Sequence, residues 1–237
     1  HYFYAYCRLA PAADRVVRFA VPCGAGGHLA SGLLALQMGL PAKLIAATNA
    51  NDALHRLLSS GVLSRGASSV AQTASPSMDI QVSSNFERLL FDAYGRDGEA
   101  VSRLMQSLSQ SGAFEVDAEQ MSEIRERFAA ARIDEAETAE TIRRTLEETE
   151  ELVDPHSAVG LAAAARLRGT PSVPMVTLAT AHPAKFPDAV KKATGIHPEL
   201  PPAMSDLFER EERLAALPND LGAIEAFIRE RARSLTV

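Results

Sequence analysis

A chain of 237 residues that is 46% hydrophobic and 23% charged has ample apolar material for a globular core. Its net charge of −6 and pI near 5.6 argue against a general affinity for nucleic acid or for anionic membrane surfaces. No apolar run is long enough to span a bilayer, and Cys7 and Cys23 give neither a disulfide framework nor a zinc spacing, so a reducing, cytoplasmic setting is expected.

The chain starts without Met, on an aromatic run, His1-Tyr2-Phe3-Tyr4-Ala5-Tyr6, worded like the middle of a buried helix. A processed N-terminus is one reading. The favoured expectation is that the chain is the C-terminal part of a longer protein. The helix should stop near Pro11. Val16–Val21 then reads as a β-branched strand. It ends in Pro22-Cys23 and a glycine turn, Gly24-Ala25-Gly26-Gly27-His28. An apolar helical pattern begins at Leu29 and closes near Met38, with Gly39 suited to the position after the last turn. Strand, glycine turn and helix start together present bare backbone N–H groups to a phosphate.

Lys43–Thr48 is the next short strand. Asn49-Ala50-Asn51-Asp52 should cap a helix carrying Leu54, Leu57 and Leu58. The repeated strand–turn–helix order predicts parallel strands with helical crossovers. Gly61–Ala74 reads as a surface loop. Ser75–Arg88 is polar and irregular, and leads into a helix with Leu89, Leu90 and Phe91.

Residues 99–152 are nearly all helix-forming and are expected as a helical insert. It would separate a first α/β portion, 1–98, from its remainder and C-terminal helices, 153–237. Asp117 with Gln120 and Asp134 with Glu137 have capping-box spacing. Asp154-Pro155-His156-Ser157 starts a helix of small residues, Ala158–Leu167. Val173–Ala179 is a third strand, ending at Thr180. Two further helical stretches are expected near Ser205–Leu214 and Asn219–Ser234. The fold class is therefore α/β, a parallel sheet with flanking helices.

The glycine turn fits neither of the common nucleotide motifs. A dinucleotide fingerprint needs Gly or Ala where Leu29 stands, and an acidic residue after the next strand, which ends at Thr48-Asn49. A P-loop needs a Lys that is not there. A backbone cradle for a single phosphate remains, alongside a tight turn with no ligand. Thr180 adds weight to the cradle. It ends a later strand, and in a parallel sheet ligands lie beyond the strands' carboxyl ends. The six histidines show no metal-ligand spacing, and no metal is expected.

Several segments, read together, resemble threonine synthase, a pyridoxal-phosphate enzyme of fold type II. They are YFYAYCRL, VRFAVPCGAGGHLASG, MGLPAKLIAATNANDALHR, SPSMDIQVSSNFERLLF, DPHSAVG and ATAHPAKFP. The resemblance implies a tryptophan-synthase-β-like architecture. It implies that Gly24, Ala25, Gly26, Gly27 and His28 bind the phosphate of pyridoxal 5′-phosphate, and that Thr180 bonds the pyridine nitrogen. The turn departs from the family wording. Gly-Asn-Phe-Gly followed by Asn or Asp is usual, so the backbone donors survive here and the side-chain contacts do not.

The implied activity is conversion of O-phospho-L-homoserine and water to L-threonine and phosphate. Ser83, Ser84, Asn85 and Arg88 are the candidates for the substrate phosphate. The small-residue turn keeps open a threonine-synthase-like phospho-lyase that releases phosphate, a 2-oxo acid and ammonia. A non-catalytic cofactor-binding fragment is a third reading. None of the four lysines, Lys43, Lys185, Lys191 and Lys192, matches the family's Schiff-base lysine motif. That lysine is expected upstream, in an N-terminal half that would be this chain's partner, and residues 1–237 alone are expected to be inactive.

Overall fold

The computed structural model describes residues 1–9, 15–65 and 70–232. The expected stop at Pro11 lies outside them. The chain divides into two units, His1–Glu199 and Leu200–Val237.

The first unit opens with helix α1 (Tyr2–Leu9). Strand β1 (Val17–Pro22), helix α2 (Gly27–Gln37), strand β2 (Ala42–Thr48) and helix α3 (Ala53–Ser60) follow in the expected order. A two-stranded antiparallel ribbon pairs β3 (Val62–Ser64) with β4 (Ala113–Glu115), across helices α4 (Phe86–Ala93) and α5 (Gly98–Ser111). Then come α6 (Ala118–Arg127), β5 (Phe128–Arg132), α7 (Glu135–Thr149), α8 (Pro155–Arg166), β6 (Met175–Thr177) and α9 (Pro187–Thr194).

The main sheet has the order β5-β2-β1-β6, and its three pairings are all parallel. The order runs one way from β1 to β2 to β5, then β6 returns to the other flank of β1. At such a reversal an open parallel sheet leaves a crevice beyond the strands' carboxyl ends. Thr177 pairs with Ala20, so β1 and β6 end side by side. The glycine turn and Thr180 therefore share one edge, as the sequence predicts.

Alternation along β1 sends Val17, Phe19 and Val21 to one face and Ala20 to the other. The first face is deep and aromatic. Phe19 is fully buried and meets the Tyr2 ring edge-on at 5.0 Å, and Leu33, Leu44 and Leu57 fill the same cluster. The second face is shallow. Ala20, Ala47 and Ala131 meet Val159, Ala162 and Ala163 of α8. Small residues let α8 lie close to the sheet. At Gly160 the approach is closest: a methyl group there would stand 2.8 Å from Thr177 and 3.1 Å from Pro22.

The segment 99–152 is largely helical, as expected, but also contributes β4 and the edge strand β5. Gly61–Ala74, expected as a surface loop, opens with β3, which pairs with β4. Phe128-Ala-Ala-Ala-Arg reads as helix by propensity. Pairing with β2, from Leu44↔Phe128 to Thr48↔Arg132, overrides that preference. The capping boxes divide. Asp134 accepts from the Glu137 N–H at 2.9 Å, whereas Asp117 makes no such bond and takes the Tyr94 hydroxyl at 2.9 Å instead.

The second unit has two short 3-10 turns, Pro202–Met204 and Leu207–Glu209, and helix α10 (Leu221–Arg231). Asp220 caps α10 by accepting from the Ala223 N–H at 2.8 Å. The helix expected over Ser205–Leu214 is absent. Only Ala223, Ile224 and Phe227 of α10 are partly sheltered, and Phe208 and Leu214 lie open to solvent. A short helix without an apolar face to bury is marginal in water.

Candidate active site

Gly24 follows β1 directly, and the Cys23 N–H donates to the Ala47 carbonyl at 2.8 Å, so the turn leaves the sheet from a fixed point. The backbone of Ser77 and Met78 crosses above it. A Cβ at Gly24 would stand 2.6 Å from the Ser77 carbonyl oxygen and 2.9 Å from the Met78 Cα. Gly26 has φ +77°, and a Cβ there would stand 2.5 Å from the Ser83 hydroxyl oxygen. Both glycines are required, one by a neighbouring backbone and the other by its own conformation as well.

The turn is braced from outside. The Asn85 backbone N–H and its side-chain amide both donate to the Ala25 carbonyl, each at 2.9 Å. With that carbonyl fixed, the Ala25–Gly26 peptide plane is fixed too. The crossing segment, a 3-10 turn over Pro76–Met78, is braced in turn through Asp79. Its carboxylate accepts from Asn49 at 2.8 Å, from Asn51 at 2.9 Å and from the Thr73 hydroxyl at 2.6 Å.

Helix α2 starts at Gly27 with Gly26 as its cap residue, and no side chain caps it. The first-turn N–H groups of a helix have no partner within the helix, and they carry its positive dipole end. The buried hydroxyl of Ser83, beside Gly26, finds no hydrogen-bond partner among the described residues. Narrow glycines, an uncapped helix start and an orphaned hydroxyl together fit an anionic oxygen cluster such as a phosphate.

His28 is half-buried, and that burial lowers its pKa, so the ring is neutral at pH 7. Its carbonyl accepts from the Tyr2 hydroxyl at 2.9 Å, and its ring meets Tyr2 edge-on. Burial pushes the Tyr2 phenol upward, so it stays a donor. Cys23 is buried behind the turn. Desolvation pushes its thiol up to about 12, with the Gly26 N–H pulling more weakly the other way. Only about one molecule in 10⁴ is then thiolate at pH 8. Iodoacetamide at that pH should label the exposed Cys7 and leave Cys23 untouched until the protein is unfolded. Equal labelling of both in the folded protein would contradict this.

The sequence-derived residues are placed unevenly. Gly24 to His28 form one turn. Asn85 and Arg88 line a cavity of about 640 Å³ with Gly27, Ser31, Phe91 and Val101, between α2, α4 and α5. Ser83 faces Gly26, on the cradle side. Ser84 is exposed in the turn before α4. Thr180 lies three residues beyond β6, exposed, with its N–H donating to the Ser157 hydroxyl at 3.3 Å. Lys43 is the second residue of β2, at the opposite edge, paired with Arg18. Lys185 lies against Phe186, and Lys191 and Lys192 end α9 in solvent.

Sequence reasoning left Asp154, His156 and Ser157 as the start of a helix. They form a buried polar cluster at the first turn of α8. The available signal was a histidine and a hydroxyl within three residues of a capping aspartate. Their distant partners, Ser77 and Thr180, were not legible.

Residues 157–228 match the family model "Threonine synthase, C-terminal". Over 230 residues the chain is 47% identical to threonine synthase from Pseudomonas aeruginosa, covering 96% of this chain and 48% of that protein. It is 34% identical to human threonine synthase-like 2, covering 90% of this chain and 45% of that one. Among solved structures, it superposes on pyridoxal-phosphate-bound threonine synthase from Brucella melitensis with a TM-score of 0.88 and 51% identity. That match covers 98% of this chain and 50% of the Brucella chain. The chain spans about half the length of the curated relatives it matches.

Proposed function

We propose that this chain, a member of the threonine synthase family by its match to the C-terminal part of those enzymes, holds one side of a pyridoxal-phosphate site. The observation that carries this is the Gly24–Gly27 turn. Its two crowded glycines open onto the uncapped start of α2, on the sheet edge where Thr180 also lies. The backbone N–H groups of the turn and of the first turn of α2 would bind the cofactor's phosphate. The Thr180 hydroxyl would hold the ring nitrogen.

When bound, pyridoxal phosphate supplies an electron sink for carbanion chemistry. A neutral hydroxyl partner does not require a protonated ring nitrogen, unlike an aspartate. It tempers the sink, which suits elimination and hydration better than transamination. Arg88 and Asn85, which line the cavity beside Gly27, would take a substrate phosphate. An Arg–phosphate bond is charge-assisted and can be bidentate. Ser84 stays a candidate on the same loop, and Ser83 serves the cradle side.

The reaction of the whole enzyme is then O-phospho-L-homoserine and water giving L-threonine and phosphate. Its cofactor lysine comes from the other half of the polypeptide. The phospho-lyase reading has one observation in its favour, the Ala25-Gly26-Gly27 wording of the turn. The higher identity to threonine synthase supports the first reading.

The test uses the longer protein that contains this chain. Incubated with O-phosphohomoserine, it should form threonine and phosphate in equal amounts. A 2-oxo acid with ammonia would select the phospho-lyase. Borohydride reduction of the holoenzyme followed by peptide mapping should find the modified lysine outside residues 1–237. Modification of Lys43, Lys185, Lys191 or Lys192 would overturn that assignment.

A further inference from the structure

Resting on that reading, we propose that Asp154, with His156 and Ser157, is a positioning centre that ties the phosphate side of the site to the ring-nitrogen side. The juxtaposition is one buried carboxylate with two outgoing arms. Asp154 and Ser157 are fully buried and His156 nearly so.

The first arm runs to the glycine turn. Asp154 accepts from His156 Nδ1 at 2.9 Å, and His156 Nε2 accepts from the Ser77 backbone N–H at 3.3 Å. Since Ser77 can only donate there, Nε2 carries the lone pair and Nδ1 the proton, the tautomer that the carboxylate favours. The Ser77 carbonyl is the group that stands 2.6 Å from a Cβ at Gly24. His156 therefore holds the lid of backbone over the cradle. The Phe186 ring packs on the imidazole at 4.7 Å and holds it in place.

The second arm runs to Thr180. The Ser157 hydroxyl donates to the other oxygen of Asp154. With its proton committed, its lone pairs accept from the Thr180 N–H at 3.3 Å. This bond sets where Thr180 leaves β6, and so where its own hydroxyl can reach.

An ordinary cap needs none of this. Asp154 does cap α8, accepting from the His156 N–H at 2.8 Å and the Ser157 N–H at 3.3 Å. Asp134 and Asp97 cap α7 and α5 in the same way, but through bonds to backbone N–H alone. Asp154 differs in its burial and its two side-chain partners. Burial alone would raise its pKa; the hydrogen bonds from His156 and Ser157 outweigh that and hold it below the ordinary value. It is therefore ionised at neutral pH, as both arms require.

The variant Asp154→Asn keeps the volume and one oxygen, but sets an NH2 group against either His156 or Ser157, where both now donate. Facing His156, it makes that ring present a proton to the Ser77 N–H; facing Ser157, it opposes the donors of the Thr180 arm. In the full-length holoenzyme, Asp154→Asn should weaken pyridoxal-phosphate binding about tenfold, the equivalent of one net hydrogen bond. It should shift the phosphorus-31 resonance of the bound cofactor. Without cofactor, amide exchange should accelerate in both the Ser77 and the Thr180 segments. Asp134→Ala, which removes a cap of comparable strength, should lower Tm and leave all three readouts unchanged.

If Asp154→Asn fails to fold, His156 decides. His156→Gln can still accept from Ser77 and should retain most of the affinity, while His156→Leu should lose it. Asp154→Asn or His156→Leu with parental affinity, resonance and exchange would reduce Asp154 to a cap and overturn the proposal. Wild-type protein that binds no pyridoxal phosphate would overturn the functional reading itself, a different result.

Discussion

Gly24→Ala in the full-length protein should weaken pyridoxal-phosphate binding by roughly 10- to 100-fold, the loss of one or two charge-assisted hydrogen bonds. The added methyl would meet the Ser77 carbonyl oxygen at 2.6 Å and the Met78 Cα at 2.9 Å. Both are backbone, so neither can rotate away. Either the turn moves off its place at the end of β1, or the Ser77–Met78 crossing lifts. Overpacking of this kind costs about 1–3 kcal/mol of stability.

Gly39→Ala is the useful contrast. Gly39 has a positive φ, +93°, but nothing lies within 4 Å of its missing Cβ. It should cost stability through backbone strain alone and leave cofactor affinity unchanged. Spectrophotometric titration of the apoenzyme measures both. Affinity within twofold of the parent for Gly24→Ala would mean that the turn does not hold the phosphate.

Phe19→Ala should cost about 3–5 kcal/mol, the range for deleting a fully buried aromatic ring from a core. Phe19 has no exposed surface, sits in one of the two inner strands of the sheet and makes an edge-on contact with Tyr2 that the variant loses. Its neighbours come from separate elements, including α1, α2 and β2, and these close over a void of that size only in part. The melting temperature of the intact protein should fall by roughly 6–20 °C. A fall of less than about 3 °C would mean that the site collapses freely, and that this face is packed more loosely than its burial indicates. Phe19→Leu keeps most of the volume and should cost less than half as much.

The parts of the fold carried by local pattern were legible in the sequence. The run from Val17 to Gly39 alternates, turns and then repeats with helical period, and each step depends on residues within a few positions. The shared edge of Gly24 and Thr180 followed from parallel strands alone. Phe128–Arg132 was not legible, because three alanines carry helix propensity and only the vacant flank of β2 makes them a strand. The site divided along the same line. The glycine turn announces itself through its own residues. The reason Gly24 must be glycine lies 53 positions away at Ser77, and the partner of His156 lies 79 positions away. Asn85 was read as a substrate ligand from its chemistry. Its amide also donates one bond to the Ala25 carbonyl, a contact that composition and spacing do not encode.

The crowding at Gly160 has a consequence over evolutionary time. Pro22, Gly160 and Thr177 share one small volume between α8, β1 and β6. Growth of one side chain is tolerable only if another shrinks or the helix withdraws, and withdrawal would carry Asp154, His156 and Ser157 with it. These three positions should therefore drift as a set across lineages. A larger residue at 160 should be accompanied by a smaller one at 177 or at 22, although the three are far apart in the chain and none of them touches the reacting atoms.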